Sequence, residues 1–371
     1  MKNKTTFILI QTMALFGIQF SLSAQKKESP FTLGAHYVGD LVSNFDGGIQ
    51  TGTTYLGMAT VEAAFDTEKA KWWKGGEVFT KIANTHGGEP TAYLVGDFQG
   101  VSNIEAGNHT WLYELWYKQN IGSISITAGL QDLNVNFAAS EYGALFTNSS
   151  FGVHSSIADN IPAPIFPLTA LGLDLEWQIS EKHLLKAAIF DGTPDDFENN
   201  PFNTNWKLCK TDGFLAVSEL QIDKSVIKNK NACYKLGVYF HEHGDLNIGT
   251  EKNKGFYFVG DQQITDKLSA FTQIGLSPKS VNVHNHFYGF GINYNGLIKK
   301  RQNDQCGIAV AHAGFDDKST GNETAIEVTY KYQLSPNIYI RPDVQYIINP
   351  VGTGSKLDNA LVGFIRLDIS L

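Results

Sequence analysis

The feature that most constrains this chain is a period-two alternation of apolar and other residues, repeated in segments of about ten residues. In residues 170–177 every second position is Leu or Trp, and in 361–371 Leu and Ile recur at most alternate positions. Because successive side chains of a β-strand point to opposite faces, each segment has one apolar and one more polar face. The pattern predicts many strands whose apolar faces share one environment.

The connections between these segments alternate between short turns and long loops. The stretches 265–266 and 335–336 are tight, whereas 85–108, 133–167 and 192–211 are long. Sixteen strands, with short turns at one end and long loops at the other, are typical of an outer-membrane barrel. The predicted strands are residues 31–41, 54–65, 76–84, 110–118, 123–132, 169–178, 183–191, 212–222, 232–242, 255–264, 267–277, 286–295, 305–313, 322–333, 337–348 and 359–371.

The N-terminus carries the pattern of an export signal. Two lysines, at positions 2 and 4, precede an apolar stretch over 7–20, and Leu22-Ser23-Ala24 is a small-residue cleavage site. Beyond it, no run approaches the roughly 18 apolar residues that a membrane-spanning helix needs. We therefore expect residues 1–24 to be a signal peptide and 25–371 a single barrel domain in the outer membrane of a Gram-negative bacterium.

These observations predict an all-β protein, a sixteen-stranded antiparallel transmembrane β-barrel with long external loops. In hydrocarbon each unpaired backbone group costs several kcal/mol, so a sheet must close on itself. Sixteen strands enclose a channel wide enough for water. The loop 133–167 is far longer than a hairpin requires, and we expect it to fold inward as the constriction.

Charge limits what this channel can carry. The chain has a formal net charge of -8 and only 18% charged residues, so it offers no basic surface for nucleic acid. Acidic residues exceed basic ones on the strand face opposite the aliphatic side chains, which favours neutral or weakly cationic solutes. These inward charges are Glu114, Asp174, Glu176, Glu219, Asp261, Glu323, Glu327, Asp343 and Asp368, against Lys186, Lys235, Lys331, Arg341 and Arg366.

Several longer words in the sequence resemble a known family. LVGDFQGVSNIEA (94–106), FAASEYGALFTNSSFG (137–152), PLTALGLDLEW (167–177) and DGTPDDFENNP (191–201) look like the carbohydrate-selective, OprB-like porins. The resemblance covers essentially the whole mature chain, with two departures: the chain ends in Leu371 where outer-membrane proteins usually end in an aromatic residue, and the mature chain is on the short side. It implies a sixteen-stranded channel that passes small sugars passively, with external loops folded inward.

Sugar passage requires hydroxyl acceptors, donors and aromatic faces around a water-filled neck. The same charges could instead form a cross-strand ladder that stabilises the wall. In the neck we expect Asn134, Asn136 and Glu141 to approach Arg341 or Lys186. The predicted pore-lining residues are Asn134, Asn136, Glu141 and Tyr142 in the loop, and Glu114, Lys186, Glu219, Lys235, Tyr239, Tyr257, Asp261, Tyr339, Arg341, Asp343 and Arg366 on the strands.

Metal and cofactor sites are weakly supported. The pair His241 and His243 is expected to face the lumen and the pair His284 and His286 to face outward, on strands that are not neighbours. Pro194 and the acid spacing in 191–198 do not fit an EF-hand loop, so a solvated acidic loop is favoured over a calcium site. The three cysteines lack CxxC spacing and indicate neither a disulfide framework nor zinc. We expect no cofactor and no metal.

Two functions from other classes stay open. An outer-membrane barrel hydrolase would need Ser, His and an acid or amide brought together, which spacing alone does not exclude. No GxSxG, HExxH or P-loop motif is present, and Gly289-Phe290-Gly291 lacks the third glycine of a dinucleotide site. A secreted, soluble lectin-like β-protein would not need sixteen spanning strands. The expected partners are small sugars and outer-membrane lipid, and a homo-oligomer is left open.

Overall fold

The computed structural model describes residues 29–243, 252–316, 321–355 and 357–371, which form one closed antiparallel barrel of sixteen strands. Each strand pairs with its sequence neighbours, and β1 closes on β16. The strands are β1 Phe31–Gly48, β2 Gly52–Asp66, β3 Gly76–Gly87, β4 His109–Ile121, β5 Ile124–Gln131, β6 Ala170–Ser180, β7 His183–Asp191, β8 Phe214–Ile222, β9 Ala232–Glu242, β10 Lys252–Gln263, β11 Leu268–Leu276, β12 His284–Asn295, β13 Gln305–Phe315, β14 Glu323–Ser335, β15 Ile338–Ile348 and β16 Asp358–Ser370.

The predicted fold class is confirmed, since all sixteen predicted segments fall on strands of this barrel. The three longest connections, 88–108, 132–169 and 192–213, lie at one end, which we call the long-loop end. Turns such as 122–123, 181–182 and 336–337 lie at the other, the short-turn end. The predicted signal peptide, residues 1–24, lies outside the described residues.

Alternation along the strands produces the two faces of the wall. Outward positions expose large apolar side chains, as at Val61 (60% exposed) and Ile82 (51%), while inward Asp40 and Glu219 are fully buried. An apolar outer face is what hydrocarbon requires of a barrel. Among the described residues, no helix is long and apolar enough to cross a bilayer.

Loop residues supply a core inside the barrel. We call residues 132–169 the inner loop; it contains two short helices, α1 (Leu133–Asn136) and α2 (Ser155–Ala158), and 3-10 turns at Gly143–Leu145 and Ser149–Phe151. A π-helical turn, Thr91–Val95, lies in the connection between β3 and β4. Phe146 and Phe151 pack with Phe271 and Phe287 on β11 and β12, and Phe137 and Ile157 pack near Tyr257 on β10.

Small residues on the inner wall make room for this packing. A Cβ added at Gly275 would lie 1.9 Å from Ser156 Oγ, and one at Gly307 would lie 2.7 Å from Phe146 Cζ. On β13 the following inward positions, Ala309 and Ala311, are also small and buried. The wall of β11–β13 is therefore shaped to receive the inner loop, which occupies that side of the lumen.

Candidate functional site

Acidic side chains of the wall hold the inner loop through its backbone amides. Asp261 on β10 accepts from the amides of Glu141 (3.0 Å) and Tyr142 (3.2 Å). Glu327 on β14 accepts from the amides of Thr147 (2.6 Å) and Asn148 (3.0 Å). Hydrogen bonds to an ionised acceptor are about twice as strong as neutral ones, so these contacts fix the position of an irregular backbone.

Glu219 on β8 forms a third acidic contact. One of its oxygens accepts from the amide of Ala138 at 2.9 Å and from Tyr257 Oη at 2.8 Å. Tyr257 is fully buried, so its hydroxyl orients this carboxylate rather than facing water. The three acids contact the inner loop at three successive places along its length.

Basic side chains of the wall donate to carbonyl oxygens of the same loop. Lys186 Nζ lies 2.7 Å from the carbonyl oxygen of Asn136, and Lys235 Nζ lies 2.6 Å from that of Ala139. Arg341 donates to the carbonyl of Leu145 at 2.9 Å. Buried backbone groups outside regular structure need partners, and the inward charges of the wall supply them.

These contacts change the expected geometry of the neck. Lys186 does approach Asn136, but through the backbone carbonyl, while the Asn136 side chain donates to Asp174 at 2.7 Å. Arg341 approaches Leu145 and not the predicted asparagines. Asn134 donates instead to carbonyls within the inner loop, at Phe137 and Gly152.

The other predicted residues are placed as follows. Glu141 is exposed and Tyr142 is half-buried. Tyr239 donates to the carbonyl of Ser156 (2.7 Å), while Arg366 donates to Asp40 through two nitrogens. Lys331 lies over the ring of Tyr339 at 4.2 Å. Glu114 lies 3.4 Å from Lys81, and Asp343 is 3% exposed on β15.

A second set of inward side chains keeps partial exposure, all toward the short-turn end. Lys81 lies 3.6 Å from Glu62 and 3.4 Å from Glu114, and Lys118 lies 3.2 Å from Glu176. The rings of Phe79 and Trp116 stack beside them, with centroids 4.8 Å apart and planes at 20°. We call this surface of β2–β6 the neck wall; it comprises Glu62, Phe79, Lys81, Trp116, Lys118 and Glu176.

None of the six neck-wall residues was among the predicted pore-lining residues, although Glu176 was predicted to face inward. A register shift between Lys81 and Ile82 places Tyr113 as an extra residue on β4. Trp111 and Tyr113 are therefore buried on the inner side together with Glu114, which breaks the period-two pattern. The sequence pattern that could have identified these inward residues lies beyond the shift. There Trp116 and Lys118 alternate with Leu115 and Tyr117.

Burial shifts the pKa of several inner-loop groups, among them Asp132 and His154. Burial raises the pKa of Asp132 to about 6, although hydrogen bonds from Tyr113 Oη and from the amide of Asn134 (2.7 Å) favour its charged form. Burial, followed by the proximity of His284, lowers the pKa of His154 to about 3. His154 is therefore neutral near pH 7, with its Nδ1 2.7 Å from Ser156 Oγ.

The histidine pairs differ in part from the prediction. His241 and His243 are both buried on the inner side, as expected. The outward placement of His284 is wrong: its Nε2 lies 2.9 Å from Ser155 Oγ of the inner loop, because a register shift separates it from His286. Within the described residues, no cluster of three or more His, Cys, Asp or Glu side chains could hold a metal ion.

The acidic loop after β7 uses its carboxylates for local turns. Asp196 accepts from the amide of Asn199 at 2.8 Å and from its side chain at 2.9 Å, while Asp195 accepts from Asn200 at 3.3 Å. Such Asx interactions stabilise the chain reversal itself. Cys209 is exposed and Cys233 and Cys306 are half-buried, all as free thiols.

Three Ser–His contacts bear on the hydrolase alternative, namely Ser155–His284, Ser156–His154 and Ser180–His183. The first joins two separate segments of the chain. Ser155 is 1% exposed, and the Nδ1 of its partner His284 lies 3.1 Å from the carbonyl oxygen of Gly314. A nucleophilic serine needs space beside it for a substrate carbonyl. Ser155 lacks that space, and its contact with His284 joins the inner loop to β12.

Comparison with known proteins gives a consistent result. Residues 50–371 match the family described as carbohydrate-selective porin, OprB family. Porin B of Pseudomonas aeruginosa is 23% identical over 92% of this chain and 87% of its own length. The high-pH structure of Pseudomonas putida OprB superposes with a TM-score of 0.82 at 20% identity, covering 92% of this chain and 94% of that one. The low-pH structure of the same protein gives a TM-score of 0.61 at 17% identity, covering 92% and 93%.

The family match spans most of the chain, and the closed barrel superposes on the high-pH OprB structure over 92% of this chain. The words that carried the resemblance, in the connection after β3 and in the inner loop, form the packed interior of the barrel. This outer-membrane protein therefore belongs to the carbohydrate-selective porin family, OprB.

Proposed function

We propose that the protein is a passive channel for small sugars whose neck lies between the inner loop and the neck wall. The observation that carries this proposal is the uneven filling of the barrel. The inner loop packs mainly on the inner faces of β7–β15, whereas the neck wall on β2–β6 keeps partial exposure. Solutes would cross beside Lys81, Lys118 and the Phe79–Trp116 pair. The channel would carry out no chemistry.

The neck wall has the chemistry that a sugar ring requires. Lys81 and Lys118 donate hydrogen bonds, and Glu62 and Glu176 accept them. A sugar hydroxyl can therefore accept through its oxygen and donate through its hydrogen. The stacked rings of Phe79 and Trp116 offer an apolar face to the C–H side of the ring. Because each cation lies beside a carboxylate, the neck binds neutral solutes without strong net attraction for anions.

The basic test is conductance in a planar bilayer with increasing concentrations of several sugars. A sugar channel gives a current that falls saturably as one sugar class occupies the neck. Incubation of the same protein with glycosides and esters tests the hydrolase alternative. Sugar-dependent block without product release supports the channel, and hydrolysis by the purified barrel would contradict it.

Replacing Lys118 with Met tests the neck wall directly. This substitution keeps the aliphatic stem but removes the donor that lies 3.2 Å from Glu176. A hydrogen bond in contact with water contributes about 1 kcal/mol, so the half-blocking sugar concentration should rise about fivefold. Lys182→Met, in the exposed turn between β6 and β7, is the matched control. Equal half-blocking concentrations in both variants would place the neck elsewhere.

Ion selectivity gives an independent prediction. The structure also directs Asp40 and Glu62 inward, together with Lys81 and Lys118, so acids still exceed bases on the inner face. Reversal potentials in a salt gradient should therefore give a cation-to-anion permeability ratio above one. The ratio should move toward one as salt rises, because screening weakens exposed charges. A clear anion preference would contradict this assignment of the lumen.

We also propose that residues 1–24 are a cleaved export signal and that 25–371 form the mature barrel. The basic start, apolar centre and Leu22-Ser23-Ala24 site support this. N-terminal sequencing of protein recovered from the outer membrane tests it, with Gln25 as the expected first residue.

A further inference from the structure

A second cavity lies at the long-loop end, apart from the neck wall. It is enclosed by the connection after β3, the inner loop, the end of β9 and the segment leading into β12, and it has a volume of about 310 Å³. We call it the vestibule cavity. Its size is at the lower end of the roughly 300–1,000 Å³ range of small-molecule pockets, which suits one sugar ring. The lining residues used below are Phe98, Asp159, His241, His243, His284 and Phe315.

One wall of the vestibule cavity is aromatic. The rings of Phe98 and Phe315 meet edge to face, with centroids 4.9 Å apart and planes at 74°. His284 packs against both, at 5.3 Å from each. The three rings come from three separate segments of chain and form one fixed surface. Such a surface matches the C–H face of a sugar ring.

Polar groups converge on the same space. His243 is only 3% exposed, and within the described residues its Nδ1 has no hydrogen-bond partner. Leaving a buried polar atom unpaired costs about 1–3 kcal/mol, which a ligand hydroxyl would offset. Asp159, on the inner loop, adds an exposed carboxyl group.

His241 has a defined role in this set. Its Nε2 lies 2.7 Å from the carbonyl oxygen of Gly192, which can only accept. The Nε2 therefore carries the hydrogen, and the Nδ1 of the neutral ring is an acceptor. Two ring nitrogens and one carboxyl group thus lie around the cavity, and hydroxyl groups can donate to all of them.

The charge of the lining selects the class of ligand. No Lys or Arg is among the described residues that line the vestibule cavity. Desolvation inside the barrel, followed by the charge of Glu323, raises the pKa of Asp159 to about 8, so its carboxyl group is mostly uncharged near pH 7. An anion is therefore disfavoured there. Metal binding has no support either, because within the described residues no group of three or more His, Cys, Asp or Glu is arranged for it.

We propose that the vestibule cavity is an entry subsite that binds a neutral monosaccharide before it reaches the neck. This inference rests on the proposed sugar-channel function. The sugar ring lies against Phe98 and Phe315, and its hydroxyls hydrogen-bond to His243, His241 and Asp159. The cavity is at the long-loop end, which in bacterial barrels is external. A sugar bound there is held close to the neck, which raises its rate of entry from outside.

The experiment measures sugar-block kinetics in bilayers that contain oriented channels, with glucose added to one side at a time. We expect His243→Phe and Asp159→Asn to lower the rate of glucose entry from the long-loop side at least fivefold. Entry from the short-turn side and the equilibrium half-blocking concentration should stay unchanged, because an entry subsite alters the path and not the neck. Glu198→Gln, an exposed carboxylate in the loop after β7, is the matched control.

The outcomes separate this inference from the proposed function. Unchanged entry rates in both variants, with normal block in the parent protein, would overturn the entry subsite alone. An absence of sugar block in the parent protein would overturn the proposed function and the subsite with it. Asp159→Asn alters an exposed side chain, so its result stands even if His243→Phe fails to form a heat-modifiable barrel.

Discussion

Replacing residues 138–158 with a short Gly/Ser linker is expected to raise single-channel conductance several-fold and to abolish sugar block. This segment contains Phe146, Phe151 and Ile157, which fill one side of the lumen against the wall. Without them the neck wall faces open water, and a sugar ring can no longer contact both sides of the passage. Conductance and sugar titration in the same bilayer measure both effects.

The barrel should survive this replacement. Its strands are joined by backbone hydrogen bonds that do not involve the inner loop, from β1–β2 around to β16. Wall acids such as Asp261 and Glu327 lose their amide partners but become hydrated by the water that enters. The same linker in place of residues 224–229, in the turn between β8 and β9, should leave conductance unchanged. If the replacement within the inner loop changes neither conductance nor block, that loop does not form the neck.

The barrel was predictable because lipid imposes a repeating pattern on every strand. A strand with hydrocarbon on one side must alternate, and a chain that cannot cross as a helix must close its sheet. The segments 170–177 and 361–371 carry this pattern directly, and both form strands with apolar outer faces. The even strand number and the placement of the long loops follow from the connections.

The neck was less predictable, since two of its determinants do not appear in side-chain patterns. The inner loop is held largely by its own amides and carbonyls, which every residue possesses, so Asp261 or Lys235 could not be assigned to a loop position from sequence. Register shifts are the second cause. The shifts beside Tyr113 and between His284 and His286 place neighbouring odd and even residues on one face.

The structure also gives several wall charges two roles. A charged side chain that hydrogen-bonds to the inner loop stabilises that loop, and under the proposed function it would also set the width of the passage beside it. Glu219, Asp261 and Glu327 all act in this way. The cross-strand ladder and the polar neck were alternatives at the level of sequence. In the structure these three acids bond to the inner loop, and under the proposed function they would support the wall of the neck as well.

Glu327→Ala should loosen residues 145–151 while the barrel remains folded. The substitution removes the acceptor of the Thr147 and Asn148 amides, at 2.6 and 3.0 Å, in a fully buried site. Two buried amides without partners cost about 3 kcal/mol together, which corresponds to roughly 100-fold faster local opening. Hydrogen exchange of these amides measures the opening, and added current noise should accompany it because the moving segment borders the neck.

A matched variant shows whether this effect is local. Glu323 lies on the same strand, two inward positions before Glu327. The substitution Glu323→Ala removes the acceptor for the amides of Phe98 and Gln99. It should accelerate exchange in the connection after β3 and spare residues 145–151, whereas Glu327→Ala should do the reverse. Equal exchange in both segments for both variants would mean that the wall carboxylates do not hold individual loops in place. The inner loop would then depend mainly on its other contacts, such as the packing with Phe271 and Phe287 and the donors Lys186 and Lys235.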